Sequence, residues 1–390
     1  MVSFIDLQAQ YSRIQEDVEA SVLRVLRSGQ YILGPEVTKL EERLADYVGV
    51  KHCVSCASGT DALVMALMAK GVGPGDAVFT VPFTFMASAE AIATVGATPI
   101  FVDVEADSFN IDPAALDRAV KALAAADRSI HPLPRISDEE LKALKPKGII
   151  AVDLFGLTAD YAALNAIADA NGLFVLEDAA QSFGASTNNA RAGGLAEIGC
   201  TSFFPAKPLG CYGDGGAIFT NDAAFAEVLR SIRVHGQGSD KYDNVRLGIT
   251  GRLDAVQAAI LQVKLDVFDD EMVQRQRVAE SYRKAIAASG LDLVAPVVPG
   301  HQVSAWAQYT VVAKDAAARS AFQKKLADKG LPTAIYYPKA LHQQQAFAYL
   351  GYADGDFAVS EDLGGRVFSL PMHPYLPDAE IETIVEAMKG

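Results

Sequence analysis

Short apolar runs alternate with longer stretches of helical period through roughly the first 250 residues of this chain. That alternation restricts it to an α/β arrangement with a largely parallel sheet, because parallel strands need crossovers of helix length between them. Strands are predicted at His52 to Cys56, Ala77 to Val81, Pro99 to Val102, Gly148 to Asp153, Leu173 to Glu177 and Cys200 to Phe204. Helices are predicted at Tyr11 to Arg27, Glu36 to Val48 and Asp61 to Lys70. In the second helix Val37, Leu40, Leu44 and Val48 recur at helical spacing. The texture changes past Leu247, where a long helix is expected over Leu253 to Arg283. A chain of 390 residues exceeds one typical domain. We divide it into residues 1–246 and a smaller C-terminal α/β domain, residues 247–390. The polar, proline-bearing segment from Ala124 to Lys147 reads as a surface excursion with a short helix at Asp138 to Leu144.

Composition excludes several functions. Lys and Arg number 34 against 48 Asp and Glu, a net charge of −14. A generally acidic surface disfavours nucleic acid and anionic membranes. The apolar runs are far shorter than a membrane span, and Met1 to Glu16 has no apolar stretch behind a basic segment. We therefore expect a soluble, cytoplasmic protein. Cys53 and Cys56 form a C-x-x-C, but no second pair accompanies them, and positions three apart in a strand point to opposite faces. Buried, reduced thiols and no metal are expected.

Three segments carry chemistry. Ser58-Gly59-Thr60 lies between a predicted strand and a helix. Glycine admits a phosphate close to the backbone, and the helix start offers free N–H donors; alone, such a turn is more often an ordinary helix cap. Glu177-Asp178-Ala179-Ala180-Gln181-Ser182 follows an apolar strand. A carboxylate there either faces the crevice at the strand ends or caps a helix. Lys207 sits in a loop after Thr201 to Phe204, ahead of Gly213-Asp214-Gly215-Gly216. A desolvated lysine becomes a nucleophile toward carbonyls, whereas an isolated one is more often on the surface. The combination decides. A phosphate turn, a carboxylate for a pyridinium nitrogen and a lysine for an aldehyde are what pyridoxal phosphate (PLP) chemistry requires.

With Gly34-Pro35, Pro82-Phe83-Thr84-Phe85, Arg252-Leu253-Asp254 and Leu370-Pro371-Met372-His373-Pro374 added, the chain resembles the DegT/StrS-type nucleotide-sugar aminotransferases nearly end to end. The resemblance implies an aspartate-aminotransferase-like fold, PLP fold type I, in a homodimer with shared active sites. It implies that Lys207 forms the Schiff base, Asp178 pairs with the pyridinium nitrogen and Gln181 bonds the phenolic oxygen. It further implies that Ser202, with Ser58, Gly59 and Thr60, holds the phosphate, and that Phe85 stacks on the ring. Thr250 stands where some members carry an asparagine that reaches the partner's phosphate. A lysine rather than a histidine at 207 favours transamination over loss of a hydroxyl.

Glutamate is the implied donor, with 2-oxoglutarate as its product. The segments from Gly29 to Pro35 and Cys200 to Asp222 are most similar to the branch acting on C3 of UDP-2-acetamido-2-deoxy-3-keto-glucuronate, on the way to a surface polysaccharide. Tyr31, Arg252, Tyr336 and His373 are the candidate sugar contacts. Arg252 is assigned to the uronate carboxylate by its bidentate geometry, against a salt bridge to Asp254 or a helix cap. A different keto deoxysugar nucleotide, linked to dTDP or GDP, is the alternative acceptor. The other readings are a PLP-dependent dehydratase or lyase and a non-catalytic PLP-binding regulator.

Overall fold

The computed structural model describes residues 2–240 and 242–389. Seven strands form the main sheet: β1 (His52–Cys56), β2 (Asp76–Thr80), β3 (Thr98–Phe101), β4 (Lys145–Val152), β5 (Phe174–Asp178), β6 (Ile198–Ser202) and β7 (Gly216–Thr220). Their order is β1-β7-β6-β5-β4-β2-β3. β7 pairs antiparallel with both β1 and β6, and the other pairings are parallel. The C-terminal ends of β1, β2, β4, β5 and β6 therefore share one edge, which is where open α/β sheets hold ligands.

Helices cover both faces. α1 (Leu7–Ser28) and α2 (Pro35–Val48) precede β1, α3 (Gly59–Ala69) follows it, and α4 (Ala87–Thr94) lies between β2 and β3. α5 (Pro113–Ala125) and α6 (Asp138–Ala143) precede β4, α7 (Tyr161–Asn171) precedes β5, and α8 (Ala223–Ile232) follows β7. Strand alternation divides the core. Val78, Ile150 and Leu176 pack with α3, α4 and α8, while Ala77, Phe79, Ile149, Ala151 and Val175 pack with α5 and α7. Phe79 is fully buried, and such burial is worth about 2–3 kcal/mol.

The long helix α9 (Ala255–Ser289) begins two residues later than its pattern suggests and runs six residues further. Ala258, Leu261 and Phe268 in its first half pack with α2 and β1, whereas Val278, Tyr282 and Ile286 pack against a three-stranded sheet of β8 (Leu293–Val294), β9 (Tyr309–Ala313) and β10 (Val367–Leu370). α10 (Ala316–Asp328), α11 (Ala358–Arg366) and α12 (Asp378–Lys389) complete this end. A division at 246/247 thus puts all of α9 in the C-terminal part, although its first half belongs to the core around the main sheet.

The segment 124–147 is more than a surface excursion. Leu133 and Leu141 are buried, His131 Nε2 meets Phe101 O at 2.8 Å, and Arg128 donates to Pro134 O and Ile136 O. Its polar residues satisfy its own backbone, which the composition alone does not reveal. The four cysteines are free and buried; Cys53 faces α2 while Cys56 faces α3. Among the described residues no helix is long and apolar enough to cross a membrane, and no cluster of metal-ligating side chains occurs.

Candidate active site

A cleft of about 460 Å³ opens at the shared strand edge. Ser58, two residues past β1, caps α3: its Oγ accepts from Asp61 N at 3.0 Å and its carbonyl from Ala62 N. The N–H groups of Gly59 and Thr60, in the first turn, have no intrahelical acceptor and are open to an anion. Gly59 is required by contact. A Cβ there would lie 2.6 Å from Ser202 Cβ, so the helix start and the end of β6 close on one another only because no side chain intervenes.

Asp178 stands at the last position of β5, buried. Its Oδ2 accepts from Ser88 Oγ at 2.9 Å and its Oδ1 from Ala180 N at 3.2 Å. No helix follows it, so it is a cleft carboxylate and not a helix cap. Burial raises its pKa, and Ser88 foremost, then the Lys207 charge, oppose that rise. Lys207 is half-buried in the loop after β6, and its Nζ forms no hydrogen bond among the described residues. Burial pushes its ammonium down, with Asp178 opposing, as a nucleophilic amine requires.

Gln181 accepts from Phe155 N at 2.7 Å through Oε1, which turns its Nε2 toward Tyr337 Oη at 3.2 Å. Phe85 is 55 % exposed on the cleft wall, its ring 6.2 Å from that of Tyr337. Tyr336 also lines the cleft.

Ser58, Gly59, Thr60, Phe85, Asp178, Gln181, Ser202, Lys207 and Tyr336 thus meet in one cavity. Four other candidates do not. His373 is a correction: it is buried beside Ser3, Asp6 and Arg275, where the N-terminal segment meets the C-terminal end, and burial pushes its pKa down to about 4. Its proline-flanked motif turns it into the core. Tyr31 is half exposed outside the cleft and donates to Leu26 O. Thr250 Oγ1 lies 2.7 Å from His235 Nε2, also outside the cleft. Arg252 forms no salt bridge with Asp254, and its Nε is buried without a hydrogen-bond partner.

Sequence reasoning missed Ser88, Tyr337 and Gln308. Ser88 lies just beyond the Pro82–Phe85 motif, in a helix with no polar signature. Gln308 lines the cleft with a buried, unpartnered Oε1; the only available signal was a polar residue preceding the apolar strand β9.

The residues present fit pyridoxal phosphate. A glycine-opened helix start would take the phosphate, a buried carboxylate the ring nitrogen, and an unpaired, half-buried amine the aldehyde.

Residues 12–389 match the model of the DegT/DnrJ/EryC1/StrS aminotransferase family. The UDP-2-acetamido-2-deoxy-3-oxo-D-glucuronate aminotransferase of Pseudomonas aeruginosa is 46% identical over 388 residues, covering 100% of this chain and 99% of that protein. A DegT DnrJ EryC1 StrS aminotransferase from Brucella abortus is similar in structure, with a TM-score of 0.92 and 47% identity over 100% of this chain and 99% of that one. NtdA from Bacillus subtilis, solved with the bound cofactor PMP, has a TM-score of 0.84 at 26% identity, covering 99% of this chain and 83% of that one.

Proposed function

This chain belongs to the DegT/DnrJ/EryC1/StrS aminotransferase family, and on that footing we propose that it moves an amino group from glutamate to C3 of UDP-2-acetamido-2-deoxy-3-keto-glucuronate in the cytoplasm, for a surface polysaccharide. It is a PLP-dependent transaminase of fold type I. The observation that carries the amine-transfer chemistry is the half-buried Lys207, its amine free of hydrogen bonds, in one cleft with the buried Asp178.

Bound there, pyridoxal phosphate supplies an aldehyde that captures amines and a ring that withdraws electrons from the carbon losing its proton. Lys207 Nζ is the group that would hold the aldehyde and give way to the donor's amine. The freed Nζ then takes the proton from the donor's Cα. Asp178 keeps the ring nitrogen protonated, which stabilises negative charge as it develops. Gly59 and Thr60 N–H, with the Ser58 and Ser202 hydroxyls, anchor the phosphate. Gln181 Nε2 would orient the phenolic oxygen, and Phe85, on the cleft wall, would pack against the ring. Water supplies the oxo group of 2-oxoglutarate, which leaves without its nitrogen; the keto sugar then enters, gives up its oxygen as water, and Lys207 returns the proton in the opposite sense.

The assignment of the sugar is supported by the reaction named for the Pseudomonas aeruginosa relative and by Arg252. A guanidinium with a buried, unpaired Nε is suited to a carboxylate, which it can grip with two parallel bonds. Arg252, Thr250 and Tyr31 stand outside this chain's own cleft, and Val245 and Leu247 nearby are 54% and 88% exposed. In this reading a second copy covers that surface, and Arg252 serves the partner's cleft.

The test is Arg252→Ala. The KM for the keto-uronate should rise about a hundredfold, as for loss of a bidentate charge pair, with the KM for glutamate nearly unchanged. Equal effects on both substrates would contradict the assignment.

A further inference from the structure

The helix α9 carries a lysine that the chemistry above does not use. Lys264 is 1% exposed. Its single side-chain hydrogen bond among the described residues runs from Nζ to Gly210 O, and its Nζ lies 4.9 Å from the centre of the Tyr212 ring. No carboxylate lies within ion-pair distance among the described residues, and the buried Glu271, further along α9, acts on it only through its charge. Burying an ammonium without a directly bonded carboxylate is unfavourable, and burial pushes this one down to about 8, with the Glu271 charge opposing. A leucine or methionine would fill the same space without that penalty, so the donor itself has a use.

Gly210 closes the loop that bears Lys207. Cys211 N donates to Phe203 O at 2.7 Å, and Lys207 N to Phe204 O at 2.9 Å. The loop is tight: a Cβ on Gly210 would lie 2.6 Å from both Phe204 O and Pro205 O. Two residues past Gly210, Tyr212 N donates to Gln257 Oε1 at 2.9 Å. Gln257 and Lys264 are seven residues apart, two turns of one face of α9. The loop is thus held at its base by a rigid helix, with Lys207 three residues from the point that Lys264 grips.

We propose that Lys264 is a positioning residue for Lys207: by donating to Gly210 O it fixes the depth at which the Lys207 amine stands in the cleft. The charged donor and the aromatic ring beneath it hold the carbonyl inward more firmly than packing would. This rests on the reading of Lys207 as the residue that joins the cofactor.

The experiment is to free the full-length protein of cofactor, add pyridoxal phosphate, and follow the visible band of the lysine-bound form in the parent and in Lys264→Met. Methionine keeps the volume and removes the donor. The band should form about tenfold more slowly, as for loss of one charge-assisted hydrogen bond, and its pH midpoint should shift. A purely structural role would lower the melting temperature and leave both readouts alone. Rates within twofold and an unmoved midpoint overturn the proposal. Should Lys264→Met fail to fold, Gln257→Met is expected to slow capture about threefold through the adjoining grip, and an unchanged rate there overturns it equally. A Lys207→Ala protein that keeps the parent's band removes the amine that Lys264 is said to position, and marks the failure as that of the Lys207 reading.

Discussion

Ser88 Oγ donates to Asp178 Oδ2 at 2.9 Å, tying α4 to the end of β5 inside the core. That bond keeps Asp178 more acidic than its burial would. Asp178→Asn keeps the shape and can still accept from Ser88, but it removes the charge opposite the ring nitrogen. Steady-state turnover should fall about a thousandfold, with the protein folded and still binding cofactor. A loss under tenfold would separate Asp178 from the electronics of the reaction.

Gly59→Ala sets a methyl 2.6 Å from Ser202 Cβ. Both neighbours are backbone-anchored, so the start of α3 must move away from β6. The affinity for pyridoxal phosphate, measured by fluorescence titration, should weaken at least tenfold, in line with overpacking by about 1–3 kcal/mol. An unchanged affinity would mean that this turn does not hold the phosphate.

Behind Asp178, Glu177 accepts from Gly193 N at 2.6 Å and Leu195 N at 2.9 Å. Glu177→Ala leaves both N–H groups buried without partners and should destabilise the fold by about 3 kcal/mol in urea titrations. Burial and the Asp153 charge push Glu177 well above its ordinary pKa, and burial pushes Asp153 up to about 7. The folded state holds protons that the unfolded chain releases above roughly pH 4. The stability these groups give is therefore full in acid and shrinks as pH climbs through 7. Glu177→Gln, which cannot ionise, should gain on the parent between pH 5 and pH 8; a difference independent of pH would contradict this.

The thiols of Cys53, Cys56, Cys200 and Cys211 are buried and raised by desolvation, Cys211 to about 11. A thiol reagent at pH 8 should titrate none of them in the native protein and all four in denaturant, because the thiolate is the reactive form. Rapid native labelling would refute their assignment to the core.

Much of this was legible beforehand. Most strands of the main sheet are apolar runs whose alternating faces both need cover, so they lie within a residue or two of their expected positions; β4 starts three residues early, at the polar Lys145, and β7 (Gly216–Thr220), reached through the glycine-rich loop, was not expected. Lys207, Asp178 and Ser58-Gly59-Thr60 were legible because each follows a strand, and strand ends converge on one edge. His373 was misplaced since a motif in sequence does not say which way a loop turns. Ser88, Tyr337 and Gln308 were invisible because each reaches the cleft through tertiary packing, without a local pattern. The anchoring of residues 124–147 depends on Arg128 bonding carbonyls six and eight residues away, which composition cannot disclose.

The most direct test of the central claim is the visible spectrum of the parent and Lys207→Ala after addition of pyridoxal phosphate. The parent should show a yellow band that glutamate bleaches and 2-oxoglutarate restores, and Lys207→Ala should lack it. A parent without the band, or a Lys207→Ala protein with the same band and the same response to glutamate, would contradict the account.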